Sequence, residues 1–203
     1  MPDHTHYQRN LPHRLAPGSS LFLTMRLADS LPRAVIQQLQ LETAQAVVAA
    51  LQPGNAGEHS YARQKRYFGR FDSLLDNSGS GSTWLSQPAV AAVVTGAIHT
   101  FFDSAGCQLV CHCIMSNRLH LVVVLAENET GLLRKLQQFK SYTAIQANRV
   151  LRRNGQFWRR ETYDHIIRDA AELERVVAYV LPNPVKAELV KEWQAWPYTY
   201  WKA

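Results

Sequence analysis

The stretch QLVCHCIMSNRLHLVVVL, residues 108–125, decides the fold. Two apolar runs, 108–115 and 118–125, are separated by only Ser116 and Asn117. Such a break between strand-like runs is a β-hairpin signal. In the second run Arg118, His120, Val122 and Val124 share one face of the pleat. Leu119, Leu121, Val123 and Leu125 share the other. One face is wholly apolar. The other begins with a cation and an imidazole beside the turn.

Working outward, Leu21, Leu23, Met25 and Leu27 alternate with Phe22, Thr24 and Arg26, which predicts another strand. Asp29, Ser30, Leu31 and Pro32 stop it. Val35, Ile36, Leu39, Val47 and Val48 then recur at helical spacing, ended by Pro53 and Gly54. Residues 54–83 form the least regular stretch, and residues 77–82 (NSGSGS) read as a flexible loop. A helix follows over about 87–102, with Pro88 in its first turn. Beyond the hairpin, residues 129 to about 151 predict a long basic helix with Leu132, Leu133, Leu136, Phe139 and Ile145 inward. A short strand over 163–167 and a helix over 169–181 complete the pattern, with Asp169 and Glu172 near the helix's positive dipole end. This order predicts an α+β protein: a ferredoxin-like or split βαβ antiparallel sheet, helices on one face, and a C-terminal helix that bears a tyrosine. Residues 1–18 read as an irregular arm and residues 19–203 as a single domain.

Composition sets the class. The chain has 203 residues, 46% hydrophobic and 19% charged, which excludes a disordered or collagen-like chain. No apolar run reaches the roughly 18 residues of a membrane span. The polar first ten residues lack the apolar core of a secretion signal. Three cysteines packed into residues 107–113 are no disulfide framework. A cytoplasmic, nucleoid-associated protein is the expectation. The net charge of +6 is concentrated. Residues 134–168 hold Arg134, Lys135, Lys140, Arg149, Arg152, Arg153, Arg159, Arg160 and Arg168 against Glu161 and Asp164, a local +7. Clustering of this kind matches a phosphate footprint. Tyr142, Phe157, Trp158 and Tyr163 lie among these cations, placed to stack on unpaired bases. The plainer alternative is a solvated helix face followed by core aromatics.

Two places carry candidate chemistry. His120 stands on the polar face of its strand, where a histidine is more often structural than a ligand. On the last helix Arg175, Tyr179 and Asn183, spaced by four, share a stripe opposite Leu173, Val176, Val177 and Val180. A tyrosine there is either a packing residue or a nucleophile, if a cation polarises the phosphoryl group it attacks. Cys111 and Cys113 face one way and His112 the other, so they cannot converge on one zinc. The loop around 78–82 lacks the Lys-Ser/Thr of a phosphate loop.

Several segments carry a family resemblance in their joint order: 22–32 (FLTMRLADSLP), 115–122 (MSNRLHLV), 140–144 (KSYTA), 155–158 (GQFW), 163–168 (YDHIIR) and 179–187 (YVLPNPVKA). In these the chain resembles the REP-associated tyrosine transposases, a branch of the single-tyrosine HUH transposases. The resemblance implies a single-strand DNA endonuclease and strand transferase acting on REP-type hairpins. A monomer or a homodimer, with no membrane partner, is the expectation. It implies a 5′-phosphotyrosine intermediate and a Mg²⁺ or Mn²⁺ ion. By position, Tyr179 is the nucleophile, and His120 and Asn183 are metal ligands. Arg134, Lys135, Lys140, Arg149, Arg152, Arg153, Arg159, Arg160 and His165 are the DNA-binding candidates. Arg118 stands where the family places its first metal-ligating histidine. A guanidinium has no lone pair for a metal and stays cationic. Arg118 therefore either holds the scissile phosphate in the ion's stead or leaves a hairpin-binding protein without cleavage. His112, on the neighbouring strand, is a further candidate ligand. Pro182 is expected to end the tyrosine helix.

Overall fold

A computed structural model describes residues 6–8, 12–14, 17–50, 60–77, 81–104 and 106–202. Two units are distinguished within the chain: residues 29–82, and the remainder, which holds the sheet.

The sheet is built from β3 (Ser20–Leu27), β4 (Cys107–Ile114), β5 (Arg118–Leu125), β6 (Trp158–Ile167) and β7 (Thr199–Trp201). Two shorter strands, β1 (His6–Gln8) and β2 (Pro12–Arg14), pair with each other within the arm expected to be irregular. The five-stranded order is β6-β3-β5-β4-β7, antiparallel throughout. Its first four strands have the ferredoxin-like arrangement predicted from the order of elements. β7 is an addition: the sequence reading stopped at the last helix, and three aromatic-rich residues were too short a run to register.

Alternation along each strand separates two faces. Leu21, Leu23, Met25 and Leu27 join Leu119, Leu121, Val123 and Leu125 in one apolar layer. Onto it pack α3 (Pro88–Phe102), through Val90, Val94 and Ile98, and α4 (Leu132–Val150), through Leu132, Leu136 and Phe139. Thr143 and Ala147 complete α4's buried stripe. Ile145 is off that stripe and 51% exposed, contrary to the expected inward position. Phe157 and Trp158 are also core: they meet edge-on, and Trp158 Nε1 donates to Thr143 Oγ1 at 2.8 Å. Helix α4 closes with Arg152 at a positive φ of 51°. The N–H groups of Arg152 and Arg153 bond back to the carbonyls of Arg149 and Asn148, a left-handed helix stop.

The opposite face carries α5 (Ala170–Val180), capped by Asp169, whose carboxylate accepts the Glu172 N–H at 2.7 Å. The stretch 54–83, expected to be irregular, contains α2 (Ser60–Asn77), which follows α1 (Arg33–Ala50) in its own unit. Phe68, Asp72 and Leu75 are buried at helical spacing, and Arg70 pairs with Glu42 of α1 at 2.7 Å. The loop expected at 77–82 lies partly outside the described residues.

Candidate functional site

The hairpin places Arg118 and His120 on the face that α5 covers. Register with β3 sets Thr24 opposite His120 and Phe22 opposite Val122. β6 brings Tyr163 beside Thr24 and His165 beside Phe22. Across this floor lies Tyr179. Its ring centre is 6.0 Å from that of His120, edge-on at 75°, and 6.0 Å from that of Phe22. Phe22 in turn stacks on His120 at 5.8 Å. Lys186 Nζ sits 4.6 Å above the Tyr179 ring, a cation–π distance. The phenol ring and the imidazole therefore meet edge-to-face on the same side of the sheet.

Helix α5 ends at Val180, and after Pro182 the chain makes the single turn α6 (Asn183–Lys186). The last carbonyls of a helix lack intrahelical partners. Asn183 Nδ2 donates to two of them, Tyr179 O at 2.8 Å and Val180 O at 3.1 Å. Those bonds aim Asn183 Oδ1 back into the site. There it accepts from Arg118 Nη2 at 3.2 Å. Arg118 Nη1 donates to Asn117 Oδ1 at 3.1 Å, and Arg118 Nε donates to His120 Nε2 at 3.0 Å. A guanidinium only donates, so His120 Nε2 is the acceptor and the ring proton sits on Nδ1. That N–H donates to Thr24 Oγ1 at 2.9 Å. His120 is thus a neutral imidazole with a defined tautomer. Arg118, at 1% exposure, is the largest fully buried side chain among the described residues.

Electrostatics and donor chemistry agree on what this site holds. A divalent ion needs the lone pairs of His120 Nε2 and Asn183 Oδ1, and both accept from Arg118. A unit charge and a divalent ion about 4 Å apart repel by roughly 8 kcal/mol at an effective dielectric constant of ~20. The residues present do not fit the metal. Among the described residues no cluster of three His, Cys, Asp or Glu side chains offers another place for one. His112 does not substitute: it pairs with Leu121 on the other face, stacked on Tyr200 at 5.7 Å and edge-on to His99 at 5.8 Å. Burial pushes the Cys111 thiol up to about 12 and the Cys107 thiol to about 11, which disfavours thiolate ligands.

The basic candidates divide into two groups. Lys140 Nζ donates to the carbonyls of Arg159 and Arg160, at 3.0 and 3.2 Å, tying α4 to β6. Lys135 pairs with Glu129 at 2.5 Å. Burial alone would raise the Glu129 carboxyl, but the Lys135 ammonium and the Gly131 N–H more than offset it and hold it below the usual range. Arg153 donates to Asn148 Oδ1 at 2.8 Å and lies 3.7 Å over the Trp84 ring. His165 faces Glu172 at 3.2 Å, and Arg168 joins the same carboxylate. These four candidates have structural partners. Arg134, Arg149, Arg152, Arg159 and Arg160 are solvent-exposed. Of the interleaved aromatics, Tyr142 is 47% exposed and Tyr163 half-buried, whereas Phe157 and Trp158 are unavailable for stacking on bases. The sequence reading gave no role to Thr24, Asn117 or Lys186.

A ferredoxin-like antiparallel sheet whose histidine strand is faced by a tyrosine helix defines the class. The fold is that of a solved REP-associated tyrosine transposase bound to a REP hairpin, with a TM-score of 0.51 and 14% identity over 95% of this chain and 80% of the other. In sequence the chain is similar to a Haemophilus influenzae protein described as a REP-associated tyrosine transposase, 29% identical over 101 residues. The match takes in 45% of this chain and 57% of the relative, so the chain spans little more than half of that protein. No family model matches. The resemblance to the REP-associated tyrosine transposases thus extends from sequence to fold.

Proposed function

We propose that this chain is a transposase-like protein that binds single-stranded DNA hairpins of the REP type without metal-dependent cleavage. One observation carries this reading: the tyrosine–histidine–asparagine constellation is assembled, yet Arg118 takes the acceptor atoms of His120 and Asn183. What remains is a buried positive charge beneath a face whose accessible rings are Tyr163 and Tyr179, with Lys186 at its edge. Aromatic rings and fixed cations suit unpaired nucleotides and their phosphates. Arg134, Arg149, Arg152, Arg159 and Arg160 supply further backbone contacts. Among the described residues no helix is long and apolar enough to cross a membrane.

The position of Tyr179 supports a second reading, strand transfer. In it, Tyr179 Oη attacks a phosphodiester, losing its proton. The P–O3′ bond breaks, leaving a 5′-phosphotyrosine and a free 3′-hydroxyl. A labelled hairpin with a single-stranded tag, incubated with the protein and Mn²⁺ or with chelator, separates the two. Equal binding in both conditions and no covalent adduct are expected. An adduct abolished by Tyr179→Phe would establish cleavage by Tyr179, the first half of strand transfer, instead. Tighter binding of the matching RNA hairpin would overturn the DNA assignment.

A further inference from the structure

We infer that Arg118 is a built-in substitute for a divalent cation, and that this one side chain keeps metal out of an otherwise prepared site. The inference stands on the geometry of this chain and does not require DNA to be the ligand.

Three observations bear on it. First, the two candidate donors are oriented from behind. Thr24 holds His120 at Nδ1, so the ring presents Nε2 to the centre. The carbonyls of Tyr179 and Val180 hold Asn183 at Nδ2, so the amide presents Oδ1 to the same centre. Turning the amide over would set its oxygen against two carbonyls and its NH₂ against a guanidinium. Both acceptors are thus aimed at one group, His120 Nε2 at Nε of Arg118 and Asn183 Oδ1 at its Nη2. Second, that group is a guanidinium, which stays cationic. Third, Arg118 is anchored on its far side as well. It donates to Asn117 Oδ1 in the hairpin turn, where the Asn117 carbonyl also accepts the Leu27 N–H at 2.9 Å. A buried side chain with three such bonds does not swing aside for an ion as a surface arginine does. Supporting bonds that orient a ligand normally raise metal affinity. Here they serve a permanent, non-exchangeable charge.

The consequence is a one-residue switch. An imidazole at position 118 starts from the same strand face, two residues from His120. It would remove the repelling charge, release Nε2 and Oδ1, and add a third donor.

The test reads metal directly. Wild-type protein with ¹⁵N-labelled histidine, titrated with Mn²⁺, should show His120 as the Nδ1–H tautomer, with no paramagnetic broadening at one equivalent. Calorimetry should find no bound ion. Arg118→His should bind one Mn²⁺ per chain and broaden His120, and the double variant Arg118→His, His120→Ala should lose that ion. Arg118→Met removes the charge without adding a donor and should bind far more weakly than Arg118→His. Stoichiometric Mn²⁺ at His120 in the wild type would overturn the inference, as would a folded Arg118→His that binds none. If Arg118→His does not fold, the wild-type titration decides alone. Hairpin binding enters none of these readouts, so failure of the DNA reading is separately visible.

Discussion

Arg118 on β5 and Asn183 on α6, 65 residues apart, meet at 3.2 Å, and this bond ties the hairpin strand to the end of the tyrosine helix. Asn183 is buried and serves both sides: its oxygen accepts from the guanidinium and its nitrogen donates to two helix carbonyls. The tyrosine helix is therefore positioned by hydrogen bonding as well as by packing on Phe22 and His120.

Asn183→Ala should destabilise the fold by about 1–3 kcal/mol, the range for leaving buried polar groups without partners. Chemical denaturation measures this. A change under 0.5 kcal/mol would mean that water replaces Asn183 without loss and that the bond does not hold the helix end.

The basic segment should divide by partner. Lys140 donates to carbonyls of β6, so Lys140→Met should lower stability by about 1–2 kcal/mol and leave the salt dependence of hairpin binding nearly unchanged. Arg159→Ala and Arg160→Ala should do the reverse. Each should leave stability within about 0.5 kcal/mol and reduce the logarithmic salt slope by about 0.7, the release expected per phosphate on a single strand. Fluorescence anisotropy across a salt series distinguishes the two patterns. Matching effects from all three variants would refute the division.

Arg152 gives a prediction with opposed signs. Its φ of 51° is a left-handed position at the helix stop, where a non-glycine side chain carries strain. Arg152→Gly should therefore stabilise the fold by about 0.5–1 kcal/mol. Hairpin affinity should fall in the same variant if the exposed guanidinium contacts phosphate. Thermal melting and binding, measured on one preparation, check both signs.

How much of this was legible in the sequence follows from the range of each interaction. The hairpin and β3 were readable because strand alternation and a two-residue turn are local signals. Helix α4 was readable in extent and for most of its facing: Leu132, Leu136 and Phe139 are buried as expected, but counting only large apolar residues turned Ile145 inward and passed over Thr143 and Ala147, which complete the buried stripe. Helix α2 escaped because its apolar positions lie among charges around Gly69, and β7 because three residues show no period. The tyrosine–histidine pairing came from resemblance and holds in the coordinates. The bonds of Arg118 to His120 and Asn183 were not foreseen, because side-chain direction after Pro182 depends on how the helix end is capped. The partners of Lys140 and Arg153 within the fold were not legible in the charge map for the same reason: a cation's partner is a tertiary fact.

The last prediction concerns acid stability and lies on the other face of the sheet. His112 is buried against Tyr200 and His99, and neither of its ring nitrogens makes a well-formed hydrogen bond. Burial, assisted by the neighbouring His99, pulls its pKa down to about 3 from 6.5, despite a small opposing influence of the Tyr198 carbonyl. The folded-state value is lowered for a base, so the unfolded chain takes up a proton that the folded chain refuses. Above pH 6.5 both states are neutral and His112 has no effect on the pH dependence. Between 6.5 and about 3 stability falls as pH falls, by up to about 1.4 kcal/mol per pH unit. From pH 7 to pH 5 the His112 contribution should be a loss of about 2 kcal/mol. His112→Leu keeps an apolar side chain against Tyr200 and removes the titration. The wild type and this variant, denatured in urea at pH 7 and pH 5, should differ in their acid sensitivity by that amount. Parallel losses in the two proteins would show that His112 is protonated in the fold and that the acid response arises elsewhere.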